Sequence, residues 1–413
     1  MREKLIGSFW DALEQTHPAR LTKTHLPAQA PNLIVSVGKA ALTMLEPARA
    51  AFPNAPYIAV PKDARPSEDR TGRIMPAAHP VPDENSVGAA EVVLDAISKL
   101  GSDDFLLFLV SGGGSSLMCA PWGISLETKQ TLTQALLRSG ADIQEMNAVR
   151  KHLSRIKGGR LAAATQARIL ALYLSDVPGD DLSVIASGPT VPDSSTFAEA
   201  LDILDKYALN FPEVRAHLQK GARGQLPESP KPGDAWLERV ENRLIGSNQT
   251  LLLAAQRYWQ QRGFQAVILS DRFQGEARDL ARFHTALVQS IRTHATPFLP
   301  PVLLLSGGEA SVTVRGSGQG GRNQEFLAWL AFYLREEGVW ALAADSDGID
   351  GHSQAAGALL TPDTWSRAKK HHLDLKAHLS RNDAGSFFKA LDDLLVTGPT
   401  ANNLNDFRMI YIA

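Results

Sequence analysis

Six short aliphatic runs, each closed by a small-residue turn, constrain this chain more than any other feature. They are NLIVSV (32–37), DFLLFLV (104–110), ILALYLSD (169–176), QAVILSD (265–271), PVLLLSGG (301–308) and VWALAADSDG (339–348). Near-continuous aliphatic runs belong to strands buried on both faces. Helix-like segments follow most of them, for example KAALTMLEPARAAF after the first and RFQGEARDLARFHTALVQSI after the fourth. Alternating strands and helices predict the α/β class, with mainly parallel or mixed sheets flanked by helices. Loops that follow such strands sit at the carboxyl edge of the sheet, where ligands bind.

A chain of 413 residues exceeds one ordinary core, so two domains are expected. The Pro/Gly/Lys-rich stretch GARGQLPESPKPGDAW (221–236) is the candidate linker. The expected division is a Rossmann-like N-terminal domain, 1–235, and a C-terminal α/β domain, 236–413. A small-molecule site is expected in the cleft between them. A formal net charge of −2 gives no basic surface for nucleic acid. A single cysteine, Cys119, excludes an intrachain disulfide and a cysteine-built zinc site. The opening MREKLIGSFWDALEQT reads as an amphipathic helix without the apolar core of a signal peptide, and FLLFLV is far shorter than the ~20 residues of a membrane span. The expectation is a cytoplasmic protein with no membrane contact.

The loop LVSGGGSSLMCAP (109–121) carries Gly112, Gly113, Gly114, Ser115 and Ser116 directly after a buried strand. Backbone N–H groups freed by glycine, together with hydroxyls, suit an anion. It is not a Walker loop, because G-x-x-x-x-G-K-[ST] occurs nowhere, and the protein-kinase motifs are absent too. Lys39 follows the first strand among small residues, where an ammonium suits a phosphoryl oxygen or a carboxylate. MNAVRKHLSRIKGGRLA (146–162) is basic, and its spacing predicts Arg150, Ser154 and Lys157 on one helical face. LSDVPGDDLSVIASGPTVPD (174–193) supplies Asp176, Asp180, Asp181 and Asp193 around two turns, as candidate base or metal ligands. DSDGIDG offers Asp345, Asp347 and Asp350 but not the EF-hand pattern, and His79 sits between prolines.

GSGQGG (316–321) spells the dinucleotide fingerprint G-x-G-x-x-G, with Asp345 about twenty residues on. The preceding SVTVR alternates, as a half-exposed strand does, whereas the first strand of a dinucleotide fold is buried on both faces. The expected geometry is a hairpin: LLLSGGEA buried, GGE turning, SVTVR exposed. Arg322 then opens a helix, where a cation opposes the macrodipole unless it meets an anion.

Together VGKAA, HPVPDENS, LVSGGGSSLMCAP, NAVRKHLSRIKGGRLA, LSDVPGDDLSVIASGPTVPD, LSGGEASVTVRGSGQGGRNQEF and DSDGIDG with TGPTANNLNDFRMIYI resemble the class II glycerate kinases. This is the glycerate 2-kinase family, whose C-terminal part is the MOFRL domain, and the likeness runs from about residue 31 to 411. It implies ATP- and Mg²⁺-dependent phosphorylation of D-glycerate to 2-phosphoglycerate. By the same resemblance Lys39 and Arg322 match essential cations, and Asp176 and Asp180 the acidic site. The nucleotide is expected on Gly112–Ser116 and on Gly318, Gly320 and Gly321, on opposite walls of the cleft. His79, Arg150, Lys157, Asn323 and Glu325 are expected at the substrate, and Asp345 and Asp347 at the metal. The partner is the small-molecule substrate, and a homodimer is compatible with the sequence. Members have also carried the label hydroxypyruvate reductase, so an NAD(P)H-dependent reductase, or a ligand-binding regulator without turnover, is the alternative. One departure stands out: family members read G-P-T-G-T-N where this chain has GPTANN, with Ala401 and Asn402.

Overall fold

The computed structural model describes residues 1–335 and 337–413. The chain forms two compact units, Pro18–Ile245 and Met1–His17 with Gly246–Ala413.

The first unit holds a seven-stranded sheet built from β1 (Leu33–Gly38), β2 (Tyr57–Pro61), β3 (Ser67–Glu68), β4 (Gly72–Ile74), β5 (Phe105–Val110), β6 (Arg168–Leu174) and β7 (Val240–Gly246). Its strand order is β3-β4-β2-β1-β5-β6-β7. β4, β2, β1, β5 and β6 run parallel, and β3 lies antiparallel at the edge. The unbroken aliphatic runs follow from this: Leu106, Phe108 and Val110 enter the core on one face of β5, and Phe105, Leu107 and Leu109 enter the core on the other. Val37 of β1 pairs with Val60 of β2 on one side and Val110 of β5 on the other. The chain leaves β1 for β2 in one direction and returns on its far side as β5. The loops after β1 and β5 therefore flank a topological switch point, the usual ligand crevice of an open parallel sheet.

The second unit holds a six-stranded mixed sheet: β8 (Ala266–Glu276), β9 (Val302–Ser311), β10 (Trp340–Asp345), β11 (Gly357–Leu360), β12 (Leu394–Leu395) and β13 (Asp406–Ile412), ordered β12-β11-β10-β13-β9-β8. Only β8 and β9 are parallel; the other neighbours are antiparallel. The expectation of mainly parallel or mixed sheets holds in both units. Among the described residues no helix is long and apolar enough to cross a membrane.

Two expectations are corrected. The expected boundary at 235/236 falls too early, because β7 still completes the first sheet, and the first seventeen residues pack with the second unit. The helix Arg2–Gln15 buries Leu5, Phe9, Ala12 and Leu13 in a core that includes Leu251, Leu252 and Phe407, with the Phe9 and Phe407 rings 5.4 Å apart. Its amphipathic pattern announces a buried face but not the surface that covers it. Nor is there a hairpin at GGE: β9 runs straight through Gly307 and Gly308 to Ser311, and residues 312–315 are not a strand. Pairing with β8 on one side and β13 on the other keeps those glycines in the ladder.

Candidate active site

In the first unit the loops after β1 and β5 are tied to each other. Lys39 N–H donates to Gly112 O at 2.8 Å, and Ala40 N–H to Ser111 Oγ at 3.0 Å. The absence of a side chain at Gly112 is what admits Asp176: a Cβ there would lie 1.8 Å from Asp176 Oδ2. Gly113 has φ +82°, and a Cβ on it would meet His79 Cδ2 at 3.0 Å and Lys39 Cγ at 3.3 Å. Lys39, His79 and Asp176 thus converge on Gly112–Gly113. Lys39 is exposed, in the turn ahead of its helix. Burial, then the nearby Lys39 and Lys62 charges, lower the His79 pKa and favour its neutral ring. Asp180 does not share this position. It sits in a turn, its N–H donating to Val177 O at 3.0 Å.

Ser115 gathers a second set. Lys157 Nζ lies 2.6 Å from its Oγ and 2.8 Å from its carbonyl oxygen, and Arg150 Nη2 donates to the same Oγ at 3.2 Å. Ser187 Oγ is 2.9 Å from Ser115 Oγ and donates to Asn147 Oδ1 at 3.2 Å. Arg150 and Lys157 meet here, but not through one helical face. The helix Ile143–His152 ends before Ser154, which is buried and bridges Pro121, and the following loop brings Lys157 back. The expected single helical face of Arg150, Ser154 and Lys157 is not what brings the two cations together. Lys157 is 1% exposed, and burial, with repulsion from Arg150 and Lys129, pushes its ammonium well below the ordinary lysine range. Lys129, also buried, is lowered to about 8. Among the described residues none of these three cations pairs with a carboxylate. Ser116 is internal, its hydroxyl donating to Gly113 O at 3.1 Å. Asp181 and Asp193 are structural: the first accepts from Ser183 N–H at 2.8 Å, and the second faces Lys151 Nζ at 3.3 Å.

Ser187 was not anticipated, and neither was Asn147. Ser187 sits at φ +59° beside Ala186 at φ +52°, a conformation that costs non-glycine residues on the order of 1–3 kcal/mol each. Gly158 N–H to Ser187 O (3.0 Å) and Gly159 N–H to Gly188 O (2.8 Å) hold the turn in place. Ser187→Ala strips a buried hydrogen-bond partner from both Ser115 and Asn147. It is expected to lower stability by about 1–3 kcal/mol, read from the urea midpoint.

In the second unit Arg322 opens the helix Arg322–Leu334. Its Nε donates to Asp406 Oδ1 at 2.7 Å, Nη2 to Asp345 Oδ2 at 2.9 Å and Nη1 to Glu309 Oε1 at 3.0 Å. Burial works to lower its pKa, but Asp406, Asp345 and Glu309 outweigh burial and hold the guanidinium above its ordinary value. Asp406 is fully buried and also binds Arg408 and, at 2.7 Å, the N–H of Ala310. The helix dipole is answered by Asp350, which accepts from Asn323 N–H at 3.0 Å and Gln324 N–H at 2.9 Å. Burial raises Asp350 to about 6, and burial with the Asp347 charge raises Asp345 well above the usual carboxylate range. Arg322 therefore faces three carboxylates, not an open anion site.

The fingerprint loop also differs from expectation. Arg315 N–H (2.7 Å) and Gly316 N–H (3.2 Å) donate to Asn382 Oδ1, Gly318 N–H to Arg381 O (3.0 Å), and Gln319 N–H to Asp383 Oδ1 (3.0 Å). A Cβ on Gly318 would meet Asp383 Cβ at 2.4 Å. The glycines let one loop lie against segment 381–385, and those N–H groups are turned inward. Gly320 O accepts from His352 N–H, and Gly321 O from Glu325 N–H, so both carbonyls are spent on the fold as well. Asn323 is fully buried, its Nδ2 donating to Asp406 Oδ1 at 2.8 Å, and Glu325 accepts from Trp329 Nε1 at 3.1 Å while burial raises it to about 7. Both expected substrate contacts hold other side chains in place. Asp347 donates its N–H to Asp345 Oδ1 at 3.1 Å, and no group of three metal-binding side chains occurs among the described residues. In the divergent GPTANN loop Ala401 has φ +60°, and Asn402 Nδ2 donates to Leu13 O at 3.0 Å.

A family model described as a domain of unknown function (DUF4147) matches residues 4–219, and the MOFRL family model matches 302–406. A D-glycerate 2-kinase of Thermotoga maritima is 40% identical, over 96% of this chain and 94% of that protein. A protein of Agrobacterium vitis that bears, provisionally, a hydroxypyruvate reductase name is 42% identical, over 100% of this chain and 94% of its own length. The crystal structure of a glycerate kinase from Thermotoga maritima matches with a TM-score of 0.92 at 38% identity, covering 100% of this chain and 99% of that one. These likenesses bear out the resemblance drawn from the motifs: the chain belongs to the glycerate 2-kinase family with a C-terminal MOFRL domain.

Proposed function

We propose that this protein transfers the γ-phosphoryl group of ATP, with Mg²⁺, to the 2-hydroxyl of D-glycerate. The observation that carries the reading is the five-residue loop after β5: Asp176, His79 and Lys39 meet its glycines, and Arg150 and Lys157 meet Ser115 without a carboxylate between them. A base, an exposed ammonium and uncompensated cations at a switch point suit an acid substrate and a phosphoryl donor. ATP supplies the phosphoryl group, and Mg²⁺ neutralises its charge. The residues fit this pair, since Mg²⁺ keeps several waters and takes one or two carboxylates alongside phosphate oxygens. Asp345 and Asp347, neighbours in the second unit, are two carboxylates of that kind, the first fixed by Arg322. Asp176 accepts the proton of the 2-hydroxyl, and Lys39 offsets charge on the phosphoryl oxygens.

Hydride transfer fits less well, because the fingerprint loop spends the N–H groups of Arg315, Gly316, Gly318 and Gln319 on its own chain. Purified protein with D-glycerate, ATP and Mg²⁺ is expected to release ADP and yield 2-phosphoglycerate by phosphorus NMR. It is expected to leave NADH absorbance unchanged with hydroxypyruvate. The reverse pattern would replace this reading with the reductase.

A further inference from the structure

Two cationic side chains, Arg150 and Lys157, meet Ser115, and a third, Lys129, is close enough to repel Lys157. Arg150 is half-buried, Lys157 and Lys129 are buried, and none forms an ion pair among the described residues. Lys129 spends a hydrogen bond on Leu153 O, at 2.8 Å. Beside them Asn147 is 2% exposed, and its Nδ2 has no hydrogen-bond partner, although its Oδ1 is engaged by Ser187. A buried amide N–H left unpaired costs about 1–3 kcal/mol. A buried cation without a counter-ion costs more still. Both costs vanish if an anion joins the cluster.

We infer that Asn147, with Arg150 and Lys157, forms the pocket for the substrate's carboxylate, and that Asn147 sets the preference for a 2-hydroxy acid over a neutral alcohol. The inference rests on the kinase reading above and deepens it. A nucleotide phosphate could use the same donors, but the neighbouring group favours the acid. Asp176 touches the same loop at Gly112, three residues before Ser115. A 2-hydroxy acid presents an anion and a hydroxyl one carbon apart, matching the cations and the carboxylate on this loop. Binding of the acid would also relieve the repulsion among Arg150, Lys129 and Lys157.

The test compares wild type with Asn147→Ala and Asn147→Asp. Losing a hydrogen bond to a charged group is expected to raise the KM for D-glycerate roughly 10-fold or more in Asn147→Ala. The KM for ATP should stay within about 2-fold. Asn147→Asp puts the protein's own carboxylate among the cations. It is expected to raise the glycerate KM further while its melting temperature matches or exceeds wild type, which a merely disrupted pocket would not do. A rise in the KM for ATP instead, or an unchanged KM for glycerate, overturns the assignment. Calorimetric titration with D-glycerate and with glycerol needs no turnover. Glycerate binding that Asn147→Ala weakens supports the pocket even if no ADP forms, and equal affinity for the two ligands refutes it.

Discussion

Arg322→Ala is expected to destabilise the second unit by about 3–5 kcal/mol, because it strands buried carboxylates. Asp406 is fully buried and loses its 2.7 Å partner, and Asp345 loses the charge that opposes its burial. Glu309, nearly half exposed, is solvated and contributes little. Turnover should fall by roughly 10–100-fold, the usual scale for removing a side chain that orients a metal ligand. Urea unfolding and kcat measured on the same preparation check both. Adding Asp345→Asn to Arg322→Ala should recover part of the stability, since one stranded charge becomes a neutral amide. A single variant as stable as wild type would show that the carboxylates do not depend on the guanidinium. Intact turnover would take Arg322 out of the chemistry.

Asp176→Asn is the second large effect. An amide keeps the shape beside Gly112 but cannot take the hydroxyl proton, so kcat should drop by about 10²–10⁴-fold. The melting temperature and the KM for ATP should stay near wild type. Asp180→Asn is the control. Its N–H closes a turn onto Val177 O, while Asp176 is the aspartate that meets Gly112, and the loss for Asp180→Asn should be several-fold at most. If Asp180→Asn instead abolishes turnover and Asp176→Asn spares it, the base has been misassigned.

Much of the fold was legible because hydrophobic pattern reports burial directly. Runs such as FLLFLV read as strands covered on both faces, and they are. The positions of Gly112, Asp176 and Lys39 were legible because loops after parallel strands end at one edge, whereas His79 read only as a histidine beside prolines. What escaped was whatever depends on non-local pairing. The helix Ile143–His152 could be read, but not the loop that carries Lys157 back to Ser115. Arg322 stood out as a cation at a helix start, yet its partners come from three distant strands, through Glu309, Asp345 and Asp406. Asp350 was visible in DSDGIDG, though nothing local says that it caps a helix 27 residues upstream. The fingerprint misled because glycine serves close backbone approach in general. A pattern of glycines does not say whether a phosphate or segment 381–385 is what approaches.

The helix Arg2–Gln15 has a consequence for how the chain is made. It leaves the ribosome well ahead of the residues that cover its apolar face, such as Leu251 and, later still, Phe407. At bacterial or eukaryotic elongation rates it waits roughly 20–80 s for Phe407 to be added. All of Pro18–Ile245 is synthesised in that interval and can fold as an insertion within an unfinished unit. Leu5, Phe9 and Leu13 are thus an early sticky patch on the nascent protein. A fusion partner or tag at Met1 bears on the assembly of the distal half rather than on the unit whose sequence comes next.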